Sequence, residues 1–241
     1  LFGLMTSCQQ QESSLRIMSY NIRNLRGMDD VRNVGRVAKV INEAKPDVVA
    51  VQEVDSVTGR SEQTDVLGLL ATETQMYPTY AAAIDYDGGK YGVGILSREE
   101  PLSYYSIPLP GREEQRVLLV VEFDHYLFAC THLSLTEEDR LRSLPLLNQE
   151  AAKANKPLFI AGDWNATPNS SFIGELRQSF TLLSDPGQLT FPADTPNRTL
   201  DYVAIYRTKD LAVNVKSTQV VDEPMASDHR PVVVELTLTA K

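Results

Sequence analysis

Basic residues are in the minority in this chain: 23 lysines and arginines stand against 32 aspartates and glutamates, for a net charge of −9. A duplex-DNA binder usually carries a basic footprint, so this balance weighs against nucleic acid as the partner. No run of about 18 or more apolar residues occurs, which excludes a spanning helix. There is no Gly/Ser tract, proline-rich stretch, charge block or internal repeat to mark a linker or an array. Histidine is scarce, with three in 241 residues, so the positions of those three are informative. What the chain does have is 42% hydrophobic residues, enough to bury one large core. We read residues 15–241 as a single domain.

The two cysteines differ in setting. Cys130, in "YLFACTHL", sits in a strand-like apolar run and reads as a buried structural thiol. Cys8 follows "LFGLMTS", which resembles the tail of a bacterial lipoprotein signal and its lipobox, with Met5 an imperfect match. The basic n-region and initiating Met are absent, so the signal reads as truncated. The resemblance implies a lipidated Cys8, with "QQQESS" as tether. It implies membrane association without a transmembrane helix, and a location in the bacterial cell envelope, periplasm-facing or at the surface; otherwise the protein is secreted. Residues 1–14 are set aside from the fold.

The pattern after residue 14 alternates between strands and helices. "LRIMSYNI" (15–22) predicts a strand. Over 29–44, Val31, Val34, Val37, Ala38 and Ile41 share one helical face, and Asp29 and Asp30 suit the positive N-terminus of a helix. "DVVAVQEV" (47–54) predicts a strand, and 62–75 a helix. Strands follow at 77–84, 91–97, 103–109, 115–123 and 126–133, with turns at "DYDGGK" and "FDHY". A helix over 136–154 is expected to bend or break at Pro145, which lacks an N–H. Further strands are expected at 156–165, 199–206, 211–217 and 230–238. About eleven strands with only scattered helices suit a two-sheet sandwich better than a doubly wound sheet, which needs a helix after nearly every strand.

Several of these apolar runs are bounded by acids, amides or histidines: Asn21, Gln52 and Glu53, His132, Asp163 and Asn165, Asp201, and Asp228–His229. Each alone has an ordinary reading as a turn or solvated residue. Together they take in two of the three histidines, leaving His125 in a turn. If the strands lie side by side, these ends converge on one rim. Buried carboxylates are costly unless paired or bound to a cation, and a set of Glu, Asp and Asn oxygens suits a hard ion such as Mg²⁺. Phosphoester hydrolysis needs such a set: an activated nucleophile, neutralised phosphoryl charge and a carboxylate-oriented histidine.

"SYNIR", "VVAVQEV", "YGVGILSR", "THLSL", "GDWN", "LDYV" and "SDHRPV" occur in the order found in the endonuclease/exonuclease/phosphatase (deoxyribonuclease I-like) superfamily, which the chain resembles over residues 15–238. The resemblance implies a four-layer α/β sandwich: two packed, mainly antiparallel sheets flanked by helices. It implies Glu53 as principal metal ligand, with Asn21 beside it and Asp228 near the ion. His229 resembles the general base, oriented by Asp201. Asp163 and Asn165 match the pair that activates water and contacts phosphate, so Asp163 and His229 form a shared nucleophile-activating group. His132 assists at the phosphate or leaving group, and Tyr91 and Arg116 contact substrate. Mg²⁺ is the implied cofactor, with Mn²⁺ or Ca²⁺ as substitutes.

There are departures from the family. Arg23 stands where AP endonucleases usually carry an Asp, and the short "DYDGGK" turn leaves little room for a DNA-gripping insertion. Arg60 and Asp65, after Glu53, pair with each other or touch substrate. The expected activity is a Mg²⁺-dependent phosphoesterase, a monomer acting on a phosphodiester or phosphomonoester, with small-molecule, sugar or lipid-derived substrates favoured. The rivals are a secreted or surface endonuclease of the deoxyribonuclease I type and a catalytically silent binding lipoprotein.

Overall fold

The computed structural model describes residues 13–208 and 211–240; Cys8 and residues 9–12 of its tether fall outside them, while Ser13 and Ser14, expected in the tether, begin the first strand and pair with Leu238 and Thr237. In chain order the elements are β1 (Ser13–Asn21), α1 (Val34–Ala44), β2 (Val48–Ser56), α2 (Val66–Thr74), β3 (Tyr77–Tyr86), β4 (Gly89–Ser97), β5 (Ser103–Leu109) and β6 (Arg116–Glu122). They continue as β7 (Leu127–His132), α3 (Glu137–Lys153), β8 (Leu158–Asp163), α4 (Ser171–Leu176), β9 (Phe180–Leu182), β10 (Asp201–Tyr206), β11 (Leu211–Val220) and β12 (Val232–Ala240). One six-stranded sheet runs β11-β12-β1-β2-β4-β3 and the other β5-β6-β7-β8-β10-β9. Within the sheets β1–β2 and β7–β8 are parallel pairs and the remaining neighbours antiparallel.

Side-chain alternation sorts the apolar residues into three layers. Leu15 and Ile17 of β1, Val232, Val234 and Leu236 of β12, Phe128 and Cys130 of β7, and Phe159 and Ala161 of β8 fill the space between the sheets. The intervening residues point outward. Met18, Tyr20 and Val49 meet Val37, Ile41 and Leu70 of α1 and α2, while Leu158, Ile160 and Ala129 meet Leu144, Leu147 and Phe172 of α3 and α4. Each fully buried large side chain is worth about 1.5–3 kcal/mol. Burial on both faces explains the near-continuous apolar runs of the central strands. The result is the expected four-layer α/β sandwich, and Cys130 is buried as expected.

Some boundaries differ from the sequence expectation. The first helix begins at Val34, not near Asp29, because Asn33 caps it by accepting the Arg36 amide. Asp29 instead binds the Arg36 guanidinium from a turn, and Val31, expected on the buried face, is exposed. Helix α3 runs unbroken through Pro145. Pro145 lies on the exposed face, where water can satisfy the carbonyl that loses its amide partner. The short β9 and α4 lack the length for a periodic signal, and β9 brings the described strands to twelve. Asp65 does not pair with Arg60: it caps α2 by accepting the Gly68 amide, while Arg60 forms a two-point pair with the buried Asp55.

Candidate active site

Strand register brings the polar ends together. His132 pairs with Asp163 across β7–β8, and Asp163 pairs with Asp201 across β8–β10. One row across three strands therefore carries a histidine and two aspartates, all buried. In the other sheet Asn21 pairs with Gln52 across β1–β2, and Ser19 opposite Val232 puts the segment before β12 beside the end of β1. Ser227 fastens that segment by donating its hydroxyl to the Asn21 carbonyl at 2.7 Å.

Two local devices complete the rim. The β2–β4 register shifts between Val51 and Val54, and Glu53 has φ of 57°. Val49, Val51 and Val54 all face α1 and α2, so this bulge absorbs the extra residue and turns Glu53 out of the apolar layer. In the "GDWN" turn, a Cβ on Gly162 would lie 1.8 Å from the Thr131 carbonyl oxygen, so only glycine lets β8 approach β7 there. Trp164 then stacks on Tyr202 at 4.9 Å and anchors the turn.

His229 Nδ1 lies 2.9 Å from Asp201 Oδ2, and its Nε2 lies 3.5 Å from Asp163 Oδ2. His132 Nε2 approaches the same Asp163 oxygen at 3.4 Å. Asn21 Nδ2 donates to Glu53 Oε1 at 3.0 Å and to Asp163 Oδ2 at 3.1 Å, joining the two sheets. The amide of Asn165 donates to Asp163 Oδ1 at 2.9 Å, and its Nδ2 donates to the Leu133 carbonyl. Asp163 is therefore the hub of the cluster.

The electrostatics follow from burial and neighbours. Burial opposes a charge on His229, but the Asp201 and Asp163 carboxylates outweigh it and raise its pKa to about 10. Burial, with help from the Arg116 and His229 charges and against Asp163, pushes His132 down to about 4, so it is neutral at pH 7. Burial raises the Glu53 carboxyl, as do Asp228 and Asp163; the Asn21 hydrogen bond and His229 oppose them.

The donors present fit a divalent cation. Glu53 and Asp163 have no lysine or arginine within 4.0 Å among the described residues, and Asp201 Oδ1 is enclosed without a donor. Asp163, Asp201 and His229 also present ligand-type atoms within 4.8 Å of one another, although the Asp201–His229 contact is itself a hydrogen bond. Of the other expected ligands, Asn21 acts here as a bridging donor while its Oδ1 accepts the Arg23 amide. Asp228 faces Arg23 at 3.5 Å.

The two expected substrate contacts are placed nearby. Tyr91 and Arg116 line a small recess with His132. The Arg116 guanidinium is buried and held by Glu113 at 3.0 Å and Glu114 at 2.8 Å. Tyr91, whose phenol pKa burial raises, lies under Arg60, which is 5.3 Å from its ring centroid and 4.3 Å from that of Tyr86. Two site residues carried no sequence signal. The Phe191 ring centroid is 4.7 Å from that of His229, on a loop without periodicity. Glu113 looked like an ordinary charged loop residue, yet it binds Arg116, the Ser134 hydroxyl and the Leu135 amide.

A His–Asp pair beside a third carboxylate, Glu53, that has no cationic side chain within 4.0 Å among the described residues is equipment for hydrolysing phosphate esters. The chain belongs to the Endonuclease/Exonuclease/phosphatase family, whose sequence profile matches residues 18–229. Members are hydrolases of phosphoester bonds and generally depend on a divalent cation, and the enzyme is of that class. Among similar solved structures is an endonuclease/exonuclease/phosphatase from Beutenbergia cavernae, 23% identical with TM-score 0.76, covering 94% of this chain and 72% of that one. A mannosyl-6-phosphatase from Bacteroides thetaiotaomicron is 17% identical with TM-score 0.72, covering 92% and 99%. The human Nocturnin catalytic domain with bound sulfate is 20% identical with TM-score 0.71, covering 96% and 98%. A comparison with curated protein sequences finds no match.

Proposed function

We propose that this enzyme is a Mg²⁺-dependent phosphoesterase acting on a small phosphate ester, by in-line attack of water. The observation that carries the reading is the placement of Asp163 Oδ2 between His229 Nε2 at 3.5 Å and His132 Nε2 at 3.4 Å. Asp163 accepts the proton of the attacking water, with His229 beside it as the imidazolium. Asp201 fixes the His229 ring through Nδ1 and favours the imidazolium, which then donates to a phosphoryl oxygen. In this reading His132 and Asn165 hydrogen-bond the phosphoryl group. Glu53 would hold the cation, with Asp228 beside it and Asn21 orienting the Glu53 carboxylate; Mn²⁺ or Ca²⁺ are the expected substitutes. When bound, the ion supplies Lewis acidity at the phosphoryl oxygens and offsets the buried negative charge.

A small substrate is supported by the net charge of −9 and by a tight β3–β4 turn at Asp87–Gly88. The mannosyl-6-phosphatase among the structural neighbours points the same way. The proposal keeps the enzyme monomeric and in the cell envelope, held by a lipid on Cys8, as the "LMTSC" sequence supports; lipid labelling of Cys8 in a bacterial host tests the attachment.

The activity test uses p-nitrophenyl phosphate, bis-p-nitrophenyl phosphate, hexose 6-phosphates and plasmid DNA, each with Mg²⁺ and with EDTA. Hydrolysis of a small ester with Mg²⁺ alone is expected. Plasmid nicking faster than any small ester would establish an endonuclease instead, and no hydrolysis of any substrate would favour a silent binding protein.

A further inference from the structure

Helix α3 and the turn after Asn165 enclose a depression of about 350 Å³ whose lining, Asn165 apart, takes no part in the reaction steps. Its lining includes Arg140, Glu137, Asn165, Thr167, Asn169 and Ser170. Arg140 is only 6% exposed. Its Nη1 donates to the Ser134 carbonyl at 2.8 Å, its Nε is enclosed without an acceptor, and its Nη2, which is not enclosed, makes no hydrogen bond among the described residues. A buried guanidinium with unmet donors is costly unless something supplies the acceptors. Glu137 accepts the Ser171 amide through Oε1, which leaves its second oxygen without a donor among the described residues.

The depression adjoins the reaction centre. Asn165 lines it and, one bond away, gives its amide to Asp163 Oδ1 at 2.9 Å. Whatever sits there is covalently within reach of a phosphate held at Asp163. The lining chemistry limits what that is. A second phosphate would meet the Glu137 carboxylate. A nucleobase would need an aromatic platform, and no aromatic side chain lines the space. Sugar hydroxyls suit it, because each can donate to Glu137 and accept from Arg140 or the neighbouring amides and hydroxyls.

We propose that the Arg140–Glu137–Asn169 depression is the subsite for a neutral polyhydroxylated group, so that the substrate is a sugar or polyol phosphate. This deepens the phosphoesterase reading and rests on it. Arg140 and Asn169 then set specificity by holding the hydroxylated part of the ester while Asp163 and His229 act on its phosphate.

The experiment compares kcat/KM for D-mannose 6-phosphate and D-glucose 6-phosphate with kcat/KM for p-nitrophenyl phosphate, which lacks hydroxyls. It uses wild type, Arg140→Met and Asn169→Ala. Asn169 is exposed and makes no hydrogen bond among the described residues, so its replacement leaves the fold intact even if Arg140→Met does not. The sugar-to-nitrophenyl ratio is expected to fall about 10-fold or more in each variant. An unchanged ratio in both variants overturns the subsite and leaves the phosphoesterase reading standing. A wild type that cleaves p-nitrophenyl phosphate but neither sugar phosphate does the same. If wild type cleaves nothing with Mg²⁺, the phosphoesterase reading fails, and saturation-transfer NMR with D-mannose 6-phosphate decides the subsite separately. Sugar-proton signals lost in Asn169→Ala support it; equal signals, or none in wild type, overturn it.

Discussion

Asp201 stands directly opposite Asp163 across the β8–β10 pair, and His229 reaches both, at 2.9 Å and 3.5 Å. Two buried carboxylates so placed repel each other unless a positive group lies between them, and the imidazolium of His229 is that group. Replacing His229 with Ala removes both the ring and its charge. Activity on any small ester should drop roughly 10²- to 10⁴-fold. Asp201→Asn keeps the contact but removes the charge that holds His229 as the imidazolium, and a loss of the same order is expected. Steady-state kinetics with Mg²⁺ check both; variants as fast as wild type would remove the dyad from the mechanism.

Glu53 makes a second prediction through stability. Its carboxyl pKa is raised by burial first and then by Asp228 and Asp163. A raised folded pKa means that the ionised form lowers stability at neutral pH, and that this penalty disappears as pH falls below the folded pKa. Glu53→Gln removes the penalty and keeps an acceptor for Asn21, so in EDTA the variant should melt at or above the wild-type temperature. A bound cation stabilises only a protein that can hold it, by about 2.7 kcal/mol at a hundred times Kd. Saturating Mg²⁺ should therefore raise the wild-type Tm by about 5 °C or more and leave Glu53→Gln nearly unmoved. Equal shifts in the two proteins would place the ion elsewhere, for example among Asp163, Asp201 and His229.

Phe191 gives a third. Its ring packs on His229 at 4.7 Å and carries the Arg198 guanidinium at 4.9 Å on the same ring. The loop also grips the histidine segment through the backbone, with Ala193 bound to Asp228 and Arg230 to Thr190. Phe191→Ala frees the imidazole on one side, and small misplacements of a reacting group cost up to about 10²-fold. The expected signature is a fall in kcat of about 10-fold with KM for p-nitrophenyl phosphate little changed, and recovery in Phe191→Tyr. A change in KM alone would make Phe191 a substrate contact instead of a positioning residue.

Much of this site was legible because apolar runs stop abruptly at polar residues. His132, Asp163, Asp201 and His229 all mark such stops, and parallel or antiparallel register then forces them onto one rim. Glu53 was legible as a residue but its geometry was not: "VVAVQEVDS" reads as a regular strand, and only pairing with β4 shows the bulge that turns the side chain outward. The start of α1 was misplaced because Asp29, Asp30 and Asn33 all suit a helix N-terminus, and tertiary context chose Asn33. The acid partners of Arg116 were invisible for a different reason. Glu113 and Glu114 are charged residues in a turn, and nothing in their spacing shows that one of them clamps a second loop.

Glu113 accepts the Ser134 hydroxyl at 2.9 Å and the Leu135 amide at 2.8 Å while pairing with Arg116 at 3.0 Å. It thereby ties the loop after His132 to the buried arginine beside it. Burial works against ionisation of Glu113, but its own amide, the Leu135 amide, the Ser134 hydroxyl and Arg116 outweigh burial and lower its pKa from 4.5 to about 2. A depressed folded pKa means that the stabilisation is fully present above the unfolded value of 4.5 and is lost as pH falls through about 2. Glu113→Gln keeps the shape and loses the charge, so with solvent screening of a largely exposed residue it should cost about 0.5–1 kcal/mol at pH 7. The stability gap between wild type and variant should stay constant from pH 7 to about 5 and narrow steadily toward pH 2. Urea unfolding at pH 7, 5 and 3 measures that gap. A gap that does not narrow would mean that the clamp holds through shape and hydrogen bonding alone, with no contribution from the charge.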